Sequence, residues 1–446
     1  MSFPEHVFKA YDIRGVYPGE IDENVMEKIG KAFADFVKSD KVLLGYDMRV
    51  SAPQLSKAFA RGVNSQGVGV IDLGQISTDV IYFASGKYNL PGAMITASHN
   101  PAQYTGVKFC KAQAEPIGKE TGIEEMREMV REDAFLKSEN IGGVEENKNI
   151  LEEFAQHCYG FINLEKIKSF NLVIDAGNGM AGKTVPIVFE KMPCSVTSLY
   201  FELDGNFPNH EANPIKKENN EDLIACVKEK HADLGLAFDG DGDRVFFIDE
   251  NGEMVDSSLI TAMVSKKVLE KNPGATIIYN VVVSKSVPEL VEKMGGKLFM
   301  SKVGHSYIKQ DMKDHNASFA GEHSGHYYFK DNYRADSGMI AALYVLELLS
   351  ESGKKMSELV KEFEVYSKIE ETNFEVQNKQ IILDKFSEIY KNNITQDFDG
   401  ITFEFEDYWF NVRPSNTEPV LRLNLEAKTG DIMKEKVEEI KKIIES

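Results

Sequence analysis

Residues 42–73 read VLLGYDMRVSAPQLSKAFARGVNSQGVGVIDL, which places a strand, a helix and a second strand in immediate succession. The apolar runs 42–45 and 68–73 have the length and composition of buried strands, and the segment between them has helical spacing. Similar units recur up to about residue 349. The chain is therefore predicted to have an α/β fold, with its functional loops at the carboxyl ends of strands. Further strands are expected at residues 172–174, 234–238 and 276–279.

The helix of this first unit carries boundary signals. Ser51 is the expected N-cap, and Leu55 and Phe59 share one face of the helix. Either Gly62 or Gly67 is expected to end it, because glycine commonly follows the last helical residue.

Beyond Lys355 the pattern changes. A helix is expected at residues 381–390, strands at 401–405, 409–412 and 420–426, and a last amphipathic helix from Asp431. This order predicts a small α+β module at the end of the chain.

Composition and charge exclude several classes of partner. With 51 basic and 71 acidic residues, the net charge is −20 over 446 residues. Such a chain is repelled by nucleic-acid phosphates and by anionic lipid, so neither nucleic acid nor a membrane is an expected partner. The 42% hydrophobic and 27% charged residues are typical of a globular protein. The length predicts about three domains.

A cytoplasmic location is expected. Residues 1–14 contain no apolar stretch long enough for a signal peptide. The longest apolar stretch, 338–349, is interrupted by Glu347 and falls short of the roughly 20 residues that span a bilayer, so it predicts a buried helix. The four cysteines lie far apart without a CxxC pair, which predicts neither a disulfide framework nor a zinc site.

Residues 234–250, LGLAFDGDGDRVFFIDE, carry the strongest chemical signal. Asp239, Asp241 and Asp243 alternate with glycines between two apolar strands. Three carboxylates in one tight loop repel one another, and a hard divalent cation relieves that repulsion through oxygen ligands. The glycines let the backbone curl so that the carboxylates converge.

An EF-hand and a solvated acidic turn are alternative interpretations of this loop. Counted from Asp239, acids stand at positions 1, 3 and 5 of an EF-hand loop and Glu250 stands at position 12. Arg244, however, occupies the position where an EF-hand needs glycine, and the flanks look like strands. The adjacent cation Arg244 suggests instead that the remaining metal ligand is an anion such as phosphate.

Residues 92–101, GAMITASHNP, present Ser98 at the end of an apolar strand, where its hydroxyl is expected to lie at the surface. A serine becomes a phosphoryl or acyl acceptor only with a positioned base and charge stabilisation, and His99 supplies one candidate group. Taken alone, SHNP is better explained as a turn or helix cap closed by Asn100 and Pro101.

Residues 175–182, DAGNGMAG, fit the GxGxxG dinucleotide fingerprint, with Glu202 or Asp204 available to bind a ribose. This is the basis of an alternative hypothesis, a nicotinamide-dependent oxidoreductase. That hypothesis leaves the aspartate loop and Ser98 unexplained.

Two more segments carry side chains suited to binding a ligand. In GEHSGHYYF at 321–329, the side chains of Glu322, Ser324 and His326 are suited to the hydroxyls of a sugar; the alternative is a polar turn before an aromatic strand. In RPSNTEP at 413–419, a guanidinium, two hydroxyls and an amide are suited to a phosphate; the alternative is a plain turn.

Together and in this order, the motifs resemble the α-D-phosphohexomutase superfamily, the phosphomannomutase and phosphoglucomutase enzymes. TASHNP at 96–101 is similar to the family's phosphoserine loop, DGDGDR at 239–244 to its magnesium loop, GEHSG at 321–325 to its sugar loop and RPSNTEP at 413–419 to its phosphate loop. AYDIRG at 10–15, GVKF at 106–109 and KVGH at 302–305 match stretches that line the family's cleft.

The resemblance implies three related α/β domains followed by a smaller α+β C-terminal domain around a central cleft. The expected domains are 1–146 with the phosphoserine loop, 147–249 with the metal loop, 250–366 with the sugar loop and 367–446 with the phosphate loop. It also implies that DAGNGMAG is a fold element of the second domain and not a cofactor site.

The resemblance further implies the roles of single residues. The expected catalytic residues are Ser98, His99, Arg14, Lys108, His305 and Arg244. The expected metal ligands, for one Mg²⁺ per chain, are Ser98, Asp239, Asp241 and Asp243. The expected substrate-binding residues are Tyr11, Lys302, Glu322, Ser324, His326, Arg413, Ser415, Asn416 and Thr417. Which of Arg14, Lys108 and His305 is the general base stays open, although histidine has the best matched intrinsic pKa.

The expected function is a phosphosugar mutase that interconverts hexose 6-phosphate and hexose 1-phosphate through a phosphoserine. Hexose 1,6-bisphosphate is the expected intermediate and activator, and mannose is the preferred sugar ahead of glucose. The alternatives are a phosphoglucosamine mutase, a metal-dependent sugar phosphatase that uses a transient phosphoserine, and a binding protein without catalysis. The expected assembly is a monomer or a homodimer.

Overall fold

The computed structural model describes residues 4–415 and 420–445, and its strands fall into four sheets along the chain. The first sheet consists of β1 (Ile13–Val16), β2 (Lys41–Tyr46), β3 (Gly69–Gln75), β4 (Gly92–Ile95), β5 (Tyr104–Cys110) and β6 (Val144–Glu146). Its helices are α1 (Glu23–Val37), α2 (Ala52–Ser65), α3 (Thr78–Tyr88) and α4 (Ile123–Glu132).

The second and third sheets follow. The second consists of β7 (Asn171–Asp175), β8 (Ser195–Leu199), β9 (Leu234–Phe238), β10 (Val245–Ile248) and β11 (Met254–Val255), with helices α5 (Ile150–Tyr159), α6 (Ala181–Phe189) and α7 (Glu221–Lys230). The third consists of β12 (Thr276–Asn280), β13 (Lys297–Ser301), β14 (Phe319–Gly321), β15 (Tyr327–Phe329) and β16 (Ala335–Asp336), with helices α8 (Ser257–Lys271), α9 (Ser286–Lys293), α10 (His305–Asp314), α11 (Gly338–Ser352) and α12 (Met356–Val360).

The fourth sheet is entirely antiparallel and is accompanied by fewer helices than the others. It consists of β17 (Ser367–Lys368), β18 (Thr372–Glu375), β19 (Ile394–Gln396), β20 (Ile401–Glu404), β21 (Tyr408–Pro414) and β22 (Val420–Ala427), with helices α13 (Lys379–Ile389) and α14 (Gly430–Glu445). Short 3₁₀ helices lie at Glu5–Val7, Ala112–Ala114, Lys119–Thr121, Leu164–Lys166, Lys217–Asn220 and Lys330–Asn332.

The first three sheets repeat one arrangement. Three parallel strands lie in the order second, first, third, and an antiparallel strand pairs with the third, giving β3-β2-β4-β5, β8-β7-β9-β10 and β13-β12-β14-β15. The turn between the third strand and the antiparallel strand therefore occupies the same place in each sheet. It consists of residues 96–103, 239–244 and 322–326, which belong to three of the motifs found in the sequence. The predicted fold class, three related α/β domains and a smaller α+β domain, is confirmed.

Gly62 does not end α2. The helix continues to Ser65, and Gly67 follows in the left-handed region with φ +80°. Gly62 lies where α2 crosses α1, because a Cβ at this position would lie 2.0 Å from the carbonyl oxygen of Glu27. Ser51 occupies the N-cap position, as predicted, but its side chain makes no capping hydrogen bond.

Apolar packing joins the first three domains more closely than the fourth. The largest apolar cluster of the described residues runs through the first three domains, from Leu43 to Phe363, whereas the C-terminal domain has a separate core around Phe386 and Phe410. The stretch 338–349 is the buried helix predicted for it. None of the helices in the described ranges is both long enough and apolar enough to cross a bilayer.

Candidate active site

Ser98 lies in the turn after β4, with φ +50° and only 2% of its surface exposed. Its Oγ donates a hydrogen bond to Asp239 Oδ2 at 3.0 Å and lies 3.1 Å from Nδ1 of His99. The carbonyl oxygen of Ser98 also lies so close to Gly240 that a Cβ there would approach it to 2.6 Å. The expectation of a surface hydroxyl is therefore wrong, because the metal loop of the second domain covers the serine.

Arg49 holds the Ser98 loop and was missed in the sequence. Its guanidinium is buried, with 1% exposed, and donates four hydrogen bonds of 2.6–3.0 Å to backbone carbonyl oxygens. The acceptors are Ser98, Asn100, Pro101 and Tyr104. Arg49 lies in the loop after the carboxyl end of β2. Functional residues of α/β folds are expected in such loops, so this position could have identified it from the sequence.

Asp239, Asp241 and Asp243 meet in a buried cluster. Each is at most 1% exposed, and one carboxylate oxygen from each lies within 4.8 Å of the others. Within the described residues, Oδ1 of Asp241 and Oδ1 of Asp243 are buried without a hydrogen-bond partner. Burial, followed by the charge of Asp241, raises the pKa of Asp243 to about 7. Unpartnered buried oxygens on crowded carboxylates fit a hard divalent cation.

Two cations of the first domain reach the same region. Nζ of Lys108 donates to Asp241 Oδ2 at 2.7 Å and to Asp243 Oδ2 at 2.6 Å. Burial favours the neutral amine, but these two carboxylates outweigh it and hold the pKa of Lys108 well above its usual value. Nη1 of Arg14 donates to Asn100 Oδ1 at 2.6 Å, which places its guanidinium on the Ser98 loop.

Arg244 combines a structural contact with a free donor. Its Nε donates to Asp239 Oδ2 at 2.9 Å, while Nη2 is buried without a hydrogen-bond partner in the part of the chain that the structure describes. A buried guanidinium with an unused donor is suited to an anion such as phosphate. The strands β9 and β10 flank this loop, which excludes the EF-hand, since that motif needs a helix on each side.

The DAGNGMAG loop connects β7 to α6 and packs against the metal loop. The N–H of Met180 donates to the carbonyl oxygen of Gly240 at 2.9 Å. A Cβ at Gly182 would lie 2.1 Å from the carbonyl oxygen of Phe201. These glycines therefore serve close backbone packing, as expected for a fold element.

The KVGH segment brings three predicted residues together at the start of α10. The rings of Tyr11 and His305 lie 5.2 Å apart, and Nζ of Lys302 lies 5.7 Å from the ring centre of Tyr307. Burial, followed by the charge of Lys309, lowers the pKa of His305 well below its usual value. His305 is therefore neutral at pH 7 and has a lone pair available for a proton.

Glu322 joins the sugar loop to the KVGH segment. Its Oε1 accepts from Nδ2 of Asn280 at 3.1 Å and from the N–H of Gly304 at 3.2 Å, and its Oε2 accepts from the hydroxyl of Tyr328 at 2.6 Å. The carboxylate is 2% exposed, so these donors fix its orientation.

Ser324 and His326 complete the sugar loop. Nδ1 of His326 lies 3.0 Å from Oγ of Ser324, and Nε2 lies 3.9 Å from Oδ1 of Asp243. Burial lowers the pKa of His326 to about 4, so the ring is neutral. The sugar loop therefore borders the metal loop directly.

Arg413 lies on β21 in the C-terminal domain. Its Nη2 donates to Oε2 of Glu371 at 2.9 Å, and Nη1 of Arg422 donates to the other oxygen of that carboxylate at 3.2 Å. One carboxylate thus braces two guanidinium groups at the start of the predicted phosphate loop. Ser415 is the last described residue before the gap, and the predicted residues Asn416 and Thr417 lie outside the described residues.

The arrangement is suited to phosphoryl transfer. A serine hydroxyl lies against a carboxylate cluster that fits a divalent cation, and Lys108, Arg14 and Arg244 surround it. Phosphoryl transfer depends mainly on such positioning and charge stabilisation. The fold and the site together define a sugar-phosphate mutase.

Comparison with known proteins gives the family. Models described as phosphoglucomutase/phosphomannomutase alpha/beta/alpha domains I, II and III match residues 5–137, 152–252 and 256–366, and the model of the C-terminal domain matches residues 371–443. The phosphomannomutase of Methanocaldococcus jannaschii is 39% identical over 445 residues, which cover 98% of this chain and 97% of that protein. The phosphohexose mutases of Xanthomonas campestris pv. campestris strain B100 are 35% identical over the full length of both chains, 100% of each.

A solved structure agrees with these relatives. The phosphoglucomutase/phosphomannomutase family protein of Burkholderia thailandensis is 32% identical and superposes with a TM-score of 0.90, covering 98% of this chain and 97% of that one. The chain belongs to the phosphoglucomutase/phosphomannomutase family and is an intramolecular phosphotransferase.

Proposed function

We propose that the protein interconverts mannose 6-phosphate and mannose 1-phosphate, with the glucose phosphates as a second substrate pair. The observation that carries this proposal is the buried hydroxyl of Ser98, held 3.0 Å from a carboxylate of the metal loop. The relatives named phosphomannomutase support mannose as the preferred sugar.

Ser98 carries a phosphoryl group in the resting enzyme. The free hydroxyl of the sugar phosphate attacks that phosphorus, the bond from phosphorus to Oγ breaks, and a hexose 1,6-bisphosphate forms. After this intermediate reorients, Oγ of Ser98 attacks its other phosphorus and the sugar oxygen leaves with a proton. Phosphate is conserved, and added hexose 1,6-bisphosphate acts as an activator because it rephosphorylates Ser98.

The residues present fit one Mg²⁺ per chain, held by Asp239, Asp241, Asp243 and the group on Ser98. When bound, the cation neutralises charge that develops on the transferring phosphoryl group. Arg244 directs its unused Nη2 to the same group. Mg²⁺ titration by calorimetry should show one site in the wild type and at least a 10-fold weaker Kd in Asp243→Asn, because a cation site loses a charged ligand. Equal Kd values would contradict this ligand set.

His305 is the proposed general base. The hydroxyl under attack must lose a proton, and a neutral imidazole accepts one. Lys108 is less suited, since two carboxylates keep it protonated, and Arg14 stays charged at any relevant pH. His99, 3.1 Å from Oγ of Ser98, is placed to exchange a proton with the serine when the phosphoryl group returns.

The remaining residues hold the substrate. Glu322, Ser324 and His326 bind sugar hydroxyls in both orientations, and Tyr11 and Lys302 border the same space. The phosphate that does not react is held by residues of the phosphate loop, namely Arg413, Ser415, Asn416 and Thr417. The domain boundaries 146/147, 249/250 and 366/367, the monomer or homodimer and the cytoplasmic location stay predictions.

A coupled assay with the 1-phosphates of mannose, glucose and glucosamine tests the proposal. We expect the highest kcat/KM with mannose 1-phosphate and no release of inorganic phosphate. Preference for glucosamine would make the protein a phosphoglucosamine mutase. Stoichiometric release of phosphate would make it a phosphatase.

A further inference from the structure

The hairpin of β21 and β22 has one apolar and one polar face. Phe410, Val412, Leu423 and Leu425 belong to the core of the C-terminal domain. On the opposite face, cross-strand pairs form a row of polar side chains: Trp409 with Glu426, Asn411 with Asn424 and Arg413 with Arg422. This row runs from Glu426 at one end of the hairpin to the proposed phosphate-binding arginine at the other.

Glu426 joins the hairpin to the third domain. Its carboxylate is 1% exposed and accepts hydrogen bonds from the hydroxyl of Ser284, from the N–H of Lys285 at 2.9 Å and from Nε1 of Trp409 at 2.7 Å. Ser284 and Lys285 lie between β12 and α9 of the third domain. One buried carboxylate thus organises donors from both domains.

The other polar contacts across this interface are more exposed. The N–H of Val303 donates to Oδ2 of Asp399 at 2.7 Å, and both residues are half-buried. Lys285 pairs with Glu404, and their side chains are 28% and 44% exposed. Lys368 pairs with Asp256 at 3.0 Å, with 15% and 38% exposed. Exposed pairs contribute little, and the core of the C-terminal domain is separate from that of its neighbours. The buried carboxylate of Glu426 is therefore expected to contribute more to docking than either exposed pair.

We propose that Glu426 is a positioning residue, which docks the hairpin on the third domain and so sets Arg413 at the right distance from the sugar loop. This rests on the phosphate-binding role proposed for Arg413. The two residues lie at opposite ends of one rigid hairpin, about 13 Å apart at roughly 3.3 Å per residue. If the docked fraction falls, the apparent affinity for substrate falls by the same factor, while the chemical step in docked molecules is unchanged.

Glu426→Gln tests the proposal, because the amide keeps the shape but turns an NH₂ group toward N–H donors. Loss of a charged acceptor corresponds to a rise of about 10-fold or more in KM for mannose 1-phosphate, with kcat within about 2-fold of wild type. Trp409 is the only tryptophan in the chain and is 4% exposed, so acrylamide should quench its fluorescence more strongly in the variant. Glu404→Gln, the same change at an exposed pair of this interface, should alter neither KM nor quenching.

Ser284→Ala supplies a second variant that leaves the C-terminal domain untouched. We expect a smaller rise in KM, again with kcat preserved. If Glu426→Gln does not fold, Ser284→Ala provides the test of the proposal. Unchanged KM and quenching, or a loss of kcat at unchanged KM, would overturn the docking role. The phosphate-binding role of Arg413 can fail separately. In that case Arg413→Ala has the KM of wild type, while acrylamide still quenches Glu426→Gln more strongly than wild type.

Discussion

At the scale of single residues, the position and orientation of Ser98 are fixed by the groups around it. Its backbone sits in the left-handed region, Arg49 ties down the carbonyl oxygens around it, and Asp239 orients its hydroxyl. A serine in an unusual backbone conformation is stable here only because the surroundings determine it.

Replacing Ser98 by alanine should abolish turnover, because the proposed phosphoryl transfer passes through Oγ. The variant also loses a buried hydrogen bond, so we expect the free energy of unfolding to fall by about 1 kcal/mol. Intact mass spectrometry should find a phosphate on the wild type and none on the variant. Turnover above a tenth of the wild-type rate would refute the phosphoserine role.

Arg49→Lys should lower kcat/KM by about 10- to 100-fold, because one ammonium cannot replace a planar fork that serves four carbonyl oxygens. The loss should appear mainly in kcat, since the Ser98 loop is displaced while the substrate-binding loops stay in place. Steady-state kinetics of the variant give this measurement. Arg61→Lys, at an exposed arginine of the same domain, is the matched control. Wild-type kinetics in Arg49→Lys would mean that the loop needs no such brace.

At the scale of elements, three equivalent turns build the catalytic region. Each follows the third parallel strand of its sheet, so one topology repeated three times delivers the serine, the carboxylates and the residues proposed to bind the sugar. Strand-end position and residue type could both be read from the sequence, which is why these loops were predictable.

Long-range contacts could not be predicted from the sequence. Ser98 and Asp239 are 141 positions apart, and nothing local shows that one covers the other. The local pattern allowed Gly62 as a helix end, because it does not show that α1 and α2 cross closely at this residue. The strands β17, β18 and β19 were missed because each has four residues or fewer and depends on its partner in the sheet.

Asp79 on α3 makes a pH-dependent link to α11. Its carboxyl accepts hydrogen bonds from the hydroxyls of Ser77 at 2.5 Å and Ser337 at 2.8 Å, and burial raises its pKa from 3.8 to about 7. The folded state thus binds a proton that the unfolded state releases between these values, so stability falls as the pH rises from about 4 to 7.

Asp79→Asn removes this cost. At pH 8 we expect the free energy of unfolding of the variant to exceed that of wild type by up to about 4 kcal/mol, at 1.36 kcal/mol per pKa unit, and its Tm to be higher. The difference should shrink progressively toward pH 4. Thermal unfolding at a series of pH values measures it, with Asp397→Asn as the exposed control. A difference that does not depend on pH would show that Asp79 is not protonated in the folded protein.

At the scale of the whole molecule, a strongly anionic chain encloses a region rich in cations. The net charge is −20, yet Arg14, Lys108, Arg244 and Arg413 lie in the active-site loops or on the strands beside them. The first three domains share apolar packing and fix the reacting groups, whereas the C-terminal domain reaches its neighbours through polar contacts.

Arg413→Ala should weaken both reaction directions, because in the proposed mechanism the phosphate loop holds one phosphate before the intermediate reorients and the other afterwards. Losing a hydrogen bond to a charged group costs roughly 1.5 to 3 kcal/mol, which corresponds to about a 10- to 160-fold loss in kcat/KM. Arg413→Lys should recover only part of it, since a lysine lacks the planar fork. Kinetics with mannose 1-phosphate and, in reverse, with mannose 6-phosphate should show equal losses, because the overall equilibrium constant fixes their ratio. An intact fold with no loss in either direction would mean that RPSNTEP is a turn without a role in binding.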